Sequence, residues 1–201
     1  MGDSTAADFA QQIGERIRSL RTERGVSLSA LASGAGVGKA TLSGLEDGSR
    51  GNPTVETLYA IAGHLGVPIG ALLPEPSHPG GAPLAALHGA AVSASLLETF
   101  SDADVATELF RLHIRPGHKQ QSPAHPPGTI EYLTVFAGTA RVGPPDALLI
   151  VPPGGHVSWR ADVPHTYSAV GTEDVHASLL VRTPSLPGAP PANNSDAPTP
   201  E

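Results

Sequence analysis

The sequence predicts an α+β chain of more than one domain, in which an all-α domain of five short helices precedes a small all-β jelly-roll barrel. Three patterns predict this architecture. Apolar residues in the first third of the chain recur at the spacing of helix turns. In the second half, apolar and polar residues alternate as in half-buried strands, with glycine and proline at regular turns. A stretch rich in proline and glycine, LLPEPSHPGGAPLAALHG, separates the two halves.

These patterns divide the chain into successive parts. The helical domain occupies residues 8–73, a linker follows at 74–83, the strand-rich domain occupies 84–183, and a tail covers 184–201. The tail consists mainly of Pro, Ala, Asn and Ser. Because it has no apolar face to bury, it is predicted to be disordered.

Composition excludes several classes of protein. The chain has 201 residues, 39% of them hydrophobic, which is enough to bury real cores. It has no cysteine, which excludes disulfides and thiolate metal sites, and no long uncharged apolar run that would mark a membrane span. We therefore expect a cytoplasmic protein with no membrane contact. The net charge of -7 argues against a generally basic nucleic-acid coat but allows a locally basic surface.

The first third of the chain contains start and stop signals for five helices. The first helix carries an apolar stripe and runs for about 15 residues. Ser27 is placed as the N-cap of the second helix, and Gly38 opens the third. Pro53-Thr54 begins the fourth helix, and Pro68 lies in the first turn of a short fifth, PIGALL.

Two interpretations compete for the stretch ASGAGVGKAT, residues 32–41. A phosphate-binding loop requires G-x-x-x-x-G-K-[ST], in which the hydroxyl after the lysine reaches magnesium. Ser33 stands where the first glycine belongs and Ala40 where the hydroxyl belongs, so the pattern fails at both ends. Gly34 and Gly36 instead predict a sharp turn between two helices, which directs the following helix outward.

A resemblance in this region rests on Leu31-Ala32, the turn Ala35-Gly36-Val37, the pattern Leu42-Ser43-x-Leu45-Glu46-x-Gly48 and the core Leu58-x-x-Ile61-Ala62. With these features the segment resembles the helix-turn-helix domain of the XRE, or lambda-repressor-like, regulators. The resemblance implies that Gly38 to Asp47 forms a recognition helix. The N-terminal half of such a helix enters the major groove of double-stranded DNA, while the second helix crosses the phosphate backbone.

The resemblance also implies a set of DNA contacts on the side of the recognition helix opposite its leucines. Lys39 is the long cation there and can donate to guanine acceptors, and Ala40 can contact a thymine methyl. Gly44 is unusual on that exposed side, because glycine costs a helix interior about 1 kcal/mol relative to Ala. The predicted base and phosphate contacts are Ser29, Gly38, Lys39, Ala40, Thr41, Ser43, Gly44, Arg50 and Asn52.

A second resemblance lies in the strand-rich half and rests on spaced glycine, histidine and glutamate residues. They follow the pattern G-x5-H-x-H-x(3,4)-E-x6-G and a later histidine in GGHVSWRADVPHTYSA. The segment thereby resembles the cupin family of small barrels. It departs from the family at Pro123, which replaces the first motif histidine, and in the gap from His125 to Glu131, which is one residue longer than usual. The matching residues are Gly117, His125, Glu131, Gly138 and His165.

This resemblance implies a ligand pocket that can hold one divalent transition metal. His125, Glu131 and His165 offer two imidazoles and one carboxylate, a set suited to Fe(II), Mn(II), Ni(II) or Zn(II). Glu131 shares its strand face with Leu133 and Val135, so we expect it to point into the barrel. The other possibility is that Glu131 bonds to one of the histidines in a polar pocket without metal.

Several conspicuous residues are assigned structural roles. The arginines of the first helix are predicted to form a solvated face with local salt bridges. Trp159 and Tyr167 are predicted to pack inside the barrel. The other seven histidines show no ligand spacing, and His156 and His176 are predicted to be exposed strand positions.

Together the two resemblances predict a DNA-binding transcriptional regulator whose barrel senses a small-molecule effector. One small domain on one half-site buries too little surface for tight binding, so we expect a homodimer, joined through the barrel, that reads a palindromic operator. No catalytic residue is assigned, and the chain is not expected to be an enzyme. Two alternatives stay open: a metal-dependent cupin isomerase or oxygenase that uses His125, Glu131 and His165, and a helical domain that docks onto proteins.

Overall fold

A computed structural model describes residues 2–50, 53–74, 86–101 and 104–184. Four α-helices occupy the first described ranges: α1, Gly2–Glu23; α2, Leu28–Gly34; α3, Lys39–Glu46; and α4, Val55–Leu65. None of the described helices is long and apolar enough to cross a membrane. Of the predicted linker only Pro74 is described, and of the predicted tail only Pro184, which ends the last strand.

The prediction of a fifth α-helix is wrong. The segment PIGALL forms a single 3₁₀ turn, Ile69–Leu72, which begins after Pro68. It cannot continue, because Leu73 precedes Pro74 and a residue before proline is disfavoured in the helical region. Leu73 accordingly has extended backbone angles, with φ of -92° and ψ of 149°.

The predicted helix boundaries are otherwise close to those observed. The hydroxyl of Ser27 accepts a hydrogen bond from the backbone N–H of Ala30 at 3.1 Å, which caps α2 as predicted. Thr54 caps α4 in the same way, accepting from the N–H of Thr57 at 3.3 Å. Helix α1 spans 22 residues and is therefore longer than predicted.

The turn between α2 and α3 depends on one glycine rather than two. Gly36 has a φ of +65°, a conformation that costs glycine little, and the N–H of Val37 donates to the carbonyl of Ala32 at 2.9 Å. Gly34 is still part of α2 and does not bend the chain. A methyl group at Gly34 would overlap the ring of His64, so this glycine instead lets α4 approach α2 closely.

In the second half of the chain, the described residues form ten strands in two antiparallel sheets that enclose an apolar interior. The six-stranded sheet has the order β1-β2-β3-β10-β5-β8, and the four-stranded sheet has the order β4-β9-β6-β7. The strands are β1, Leu87–His88; β2, Val92–Ser101; β3, Val105–Ile114; β4, Lys119–Ser122; β5, Ile130–Ala137; β6, Ala140–Gly143; β7, Leu149–Val151; β8, His156–Arg160; β9, His165–Ala169; and β10, Val175–Pro184.

The helical domain packs against the barrel through α4 and the 3₁₀ turn. The N–H of Gly70 donates to the buried carboxylate of Glu108 on β3. The N–H of Ala90, between β1 and β2, donates to Oε1 of Glu56 on α4 at 3.3 Å. These contacts bring α4 close to the end of the barrel where the predicted ligand residues lie.

Candidate functional site

The exposed face of α3 carries the residues predicted to contact DNA. Leu42 and Leu45 are buried, whereas Lys39 and Ala40 at the N-terminal end are exposed. Thr41 and Ser43 are half-buried on the same helix, and Ser29 is exposed on α2. The helix therefore presents its N-terminal half outward, as a helix that enters a groove requires.

Gly44 does not lie on the exposed side of α3, contrary to prediction. It is buried because the side chain of Arg50 lies across it. The N–H of Arg50 donates to the carbonyl of Gly44 at 2.8 Å, and Nη1 of Arg50 donates to Oγ1 of Thr41 at 3.1 Å. A methyl group at Gly44 would lie 2.8 Å from Cγ of Arg50. Glycine is thus required for the arginine to cover the helix. Asn52 lies outside the described residues.

One arginine of α1 departs from the predicted solvated face with local salt bridges, because Arg21 is largely buried and pairs with Glu46 on α3. Nε and Nη2 of Arg21 donate to the two carboxylate oxygens of Glu46, each at 2.7 Å, and both side chains are largely buried. The hydrogen bond to Glu46 raises the pKa of Arg21 above its usual value. This paired contact connects α1 to the C-terminal end of α3 and fixes the orientation of α3.

The three predicted ligand residues meet inside the barrel. His125 follows β4, Glu131 lies on β5, and His165 begins β9. Nε2 of His125 donates to Oε1 of Glu131 at 2.9 Å, and Nε2 of His165 lies 3.4 Å from Oε2 of the same carboxylate. All three side chains are buried, and Glu131 points inward as predicted. Their ligand atoms lie within 4.8 Å of one another.

Opposing effects set the charge of this barrel cluster, which we define as His125, Glu131 and His165. Burial raises the pKa of Glu131, but the charge of His165 and the hydrogen bond from His125 outweigh it, so the pKa falls below its usual value. Burial lowers the pKa of His165, but the charge of Glu131 outweighs burial, so the pKa of His165 lies above its usual value. Glu131 is therefore ionised, and the cluster pairs one buried anion with imidazoles.

The cluster has the chemistry of a metal site. The Nδ1–H of His165 donates to the carbonyl of Val163 at 2.9 Å, so Nε2 faces the carboxylate. That buried Nε2 has no hydrogen-bond partner among the described residues. A lone pair that faces a carboxylate needs either a proton or a cation between them. A divalent transition metal fits this donor set, provided that His125 gives up its Nε2 proton.

Aromatic rings surround the barrel cluster. The ring centroid of Tyr167 is 5.5 Å from that of His165, and the centroid of Trp159 is 6.3 Å from it. The hydroxyl of Tyr167 also donates a hydrogen bond to Oε2 of Glu131. Tyr167 therefore packs inside the barrel as predicted and in addition binds the carboxylate, which was not predicted. Tyr59, from α4, packs on His125 with ring centroids 4.2 Å apart.

A second group of side chains on the outer face of the six-stranded sheet offers metal ligands. His113 and His176 are cross-strand partners whose rings stack with centroids 5.0 Å apart. Oδ2 of Asp174 lies 3.2 Å from Nε2 of His113. His176 and Asp174 are exposed, as predicted for His176, so this outer cluster differs from the barrel cluster in having direct access to solvent.

Comparisons with known proteins agree with the helical domain and extend beyond it. The HTH_3 helix-turn-helix family matches residues 17–72. The HTH-type transcriptional regulator SutR of Escherichia coli (strain K12) is 30% identical over 177 residues, which are 88% of this chain and 98% of SutR. The chain belongs to the HTH-type transcriptional regulators.

Solved structures are similar to this regulator as well. The crystal structure of an HTH_3 family transcriptional regulator from Vibrio cholerae has a TM-score of 0.72 and 30% identity, covering 89% of this chain and 99% of that chain. The Cupin_2 domain of an XRE family regulator from Enterobacter cloacae has a TM-score of 0.41 and 23% identity, over 45% of this chain and 95% of that chain. The predicted helix-turn-helix transcriptional regulator is confirmed.

Two contacts in this regulator carried no signal in its sequence. Tyr59 lies within the periodic pattern of a helix, and nothing in that pattern shows that its ring faces another domain. His113 and Asp174 are far apart in the chain, and only the pairing of β3 with β10 brings them together. Cross-strand register could have indicated the outer cluster if the sheet order had been known.

Proposed function

We propose that this regulator reads a symmetric operator as a homodimer in the cytoplasm, and that its barrel senses a small-molecule effector or a divalent transition metal. The observation that supports DNA reading best is the exposed N-terminal face of α3, with Lys39 at its start and the guanidinium of Arg50 hydrogen-bonded to Thr41. The proposed domains are residues 8–73 for DNA binding and 84–183 for sensing.

The proposed DNA contacts divide into two kinds. Lys39, Ala40 and Ser43 are positioned to reach base edges in the major groove. Ser29 on α2 and Arg50 beyond α3 are positioned to bind phosphates, which fixes the protein on the duplex without reading sequence. Two copies of α3 separated by about one helical turn, roughly 34 Å, would read the two halves of a palindrome.

The proposed sensing site is the barrel cluster. Its buried donors suit one divalent transition metal, alone or with an effector on the open coordination positions. The relatives that cover nearly all of this chain are named as transcriptional regulators, which supports a non-enzymatic role.

Selection from random DNA tests the operator-reading part of the proposal. The full chain should enrich a palindromic site, and the affinity for that site should fall steeply with salt. Lys39→Ala should weaken binding about tenfold and relax the sequence preference at one position of each half-site. Arg18→Ala is the matched control, because Arg18 is an exposed cation on α1. An enriched site without symmetry, or equal losses in both variants, would contradict the proposal.

Titration of the full chain with Co²⁺, followed by visible absorption, tests the sensing part. Co²⁺ should bind the barrel cluster, and His165→Ala should remove that absorption band. His176→Ala is the control, because it alters only the exposed outer cluster. If the band is lost in His176→Ala and kept in His165→Ala, the barrel cluster is not the sensing site.

A further inference from the structure

A residue of the DNA-binding domain contacts the barrel cluster directly. Tyr59 follows the buried Leu58 on α4, and its ring faces the barrel. Its ring centroid lies 4.2 Å from that of His125, with the ring planes tilted by 59°. The same His125 donates a hydrogen bond to Glu131. A side chain of the DNA-binding domain therefore contacts the proposed effector site directly.

Tyr59 covers a cluster that solvent does not reach. Glu131 and His165 are 0% exposed, and His125 is 7% exposed. Burial, followed by the negative charges of Glu131 and Glu108, raises the pKa of Tyr59 well above its usual value. On the side of His125, the covering ring comes from the helical domain rather than from the barrel.

A narrow cleft lies beside this ring. The cleft lies between α4, the 3₁₀ turn and the barrel, and its lining residues include Ala62, Gly63, Ile69 and Thr183. Most of these side chains are small, and a methyl group added at Gly63 would meet no atom within 4 Å. The cleft is too small to take the ring of Tyr59, so the ring leaves His125 only when α4 shifts away from the barrel.

Two hydrogen bonds near Tyr59 hold α4 and the 3₁₀ turn on the barrel. The N–H of Gly70 donates to Glu108, and the N–H of Ala90 donates to Glu56. The contact at Gly70 is close, because a methyl group there would lie 2.5 Å from Oε1 of Glu108. A further contact between the two domains, that of Tyr59 with His125, is made to the barrel cluster itself.

We propose that Tyr59 is a residue of the effector site supplied by the DNA-binding domain, so that occupancy of the barrel cluster and docking of α4 compete. This inference rests on the proposed function of the cluster. An ion held by three protein ligands keeps at least one further position for water or an anion. An ion between His125 and Glu131 also replaces the hydrogen bond of 2.9 Å between them, so the ring of His125 must shift, and the ring of Tyr59 restricts that shift.

The competition links the effector site to the recognition helix. Helix α4 packs closely on α2, because Gly34 leaves room for His64, and α2 leads directly into α3. A shift of α4 away from the barrel therefore moves the DNA-reading face as a unit. In a dimer joined through the barrels, that shift changes the distance between the two recognition helices. Coupling of this kind is reciprocal, so weaker docking must favour occupancy.

Co²⁺ affinity of the full chain, measured by visible absorption, tests the proposal. Tyr59→Leu, which removes the ring but keeps an apolar helical residue, should bind Co²⁺ about tenfold more tightly than the wild type. Tyr59→Phe keeps the ring and should bind within about twofold of the wild type. Tyr132→Leu is the matched control, because Tyr132 lies on the opposite face of its strand from Glu131.

Gly70→Ala tests the same competition without altering the barrel cluster. This variant replaces Tyr59→Leu as the test if Tyr59→Leu does not fold. The added methyl group weakens docking at Glu108 and should also tighten Co²⁺ binding. Co²⁺ should change the affinity of the wild type for its selected DNA site, and it should have little effect in either variant.

The possible failures can be told apart. If the wild type binds Co²⁺ in a manner that requires His165, but Tyr59→Leu and Gly70→Ala bind it no more tightly, the competition is refuted and the sensing site stands. If neither the wild type nor any variant binds Co²⁺, the proposed metal site is refuted, and the inference falls with it. Tightening in Tyr132→Leu equal to that in Tyr59→Leu would indicate general loosening and would also refute the inference.

Discussion

Nη1 of Arg50 lies 3.1 Å from the hydroxyl oxygen of Thr41, and the arginine side chain crosses the surface of Gly44 to reach it. A residue from the loop after the recognition helix thus contributes a cation to the face of that helix. Glycine at position 44 lowers the stability of the helix, but it leaves room for the side chain of Arg50.

Gly44→Ala is expected to reduce DNA affinity without reducing stability by much. The added methyl group would lie 2.8 Å from Cγ of Arg50 and displace its side chain from Thr41, while alanine favours the helix by about 1 kcal/mol. DNA affinity should fall several-fold in a direct binding assay. Gly63→Ala, where the methyl group meets no atom within 4 Å, should raise the free energy of unfolding and leave DNA binding unchanged. Unchanged DNA affinity in Gly44→Ala would mean that Arg50 does not contribute.

Arg21→Lys is expected to destabilise the helical domain by about 1 to 2 kcal/mol, because lysine cannot make the two parallel hydrogen bonds to Glu46. The present bonds are both 2.7 Å long and largely buried. Urea unfolding measures the change. Arg160→Lys is the control, since the Arg160 side chain is 74% exposed in its pair with Asp162, and exposed pairs contribute little. Similar losses in the two variants would show that burial of the pair does not matter.

Tyr167→Phe should lower the free energy of unfolding of the metal-free protein by about 1 to 3 kcal/mol. The hydroxyl donates to Oε2 of the buried Glu131, whose other neighbour at that oxygen is Nε2 of His165 at 3.4 Å. Removing a donor from a buried carboxylate leaves its charge poorly compensated. Tyr132→Phe, on the outer side of β5, should change stability by less than about 0.5 kcal/mol. An equal effect of both substitutions would argue against a special role for the Tyr167 hydroxyl.

The sequence predicted those parts of the molecule that depend on residues close together in the chain. Helical spacing and capping by Ser27 and Thr54 are local, and so is the alternation that turns Glu131 inward. The contact of Tyr59 with His125 depends on how two domains pack. The position of Arg50 in a loop likewise does not reveal that its side chain lies across Gly44. Contacts of this kind depend on tertiary packing, which the periodicity of the sequence does not predict.

Stability should depend on pH through Glu108, whose pKa is raised to about 7 by burial even though the N–H groups of Gly70 and Ile69 act to lower it. A carboxyl group with a higher pKa when folded binds more protons in the folded state, so its contribution makes the protein less stable as pH rises from about 4.5 to about 7. Glu108→Gln keeps an acceptor for Gly70 and cannot ionise. The variant should therefore gain stability relative to the wild type across this range, reaching about 3 kcal/mol above pH 7. Urea unfolding of both proteins between pH 4 and pH 8 measures this difference, in which the titrations of His165 and Glu131 cancel. A difference that does not vary with pH would show that Glu108 keeps the same charge in the folded and unfolded states.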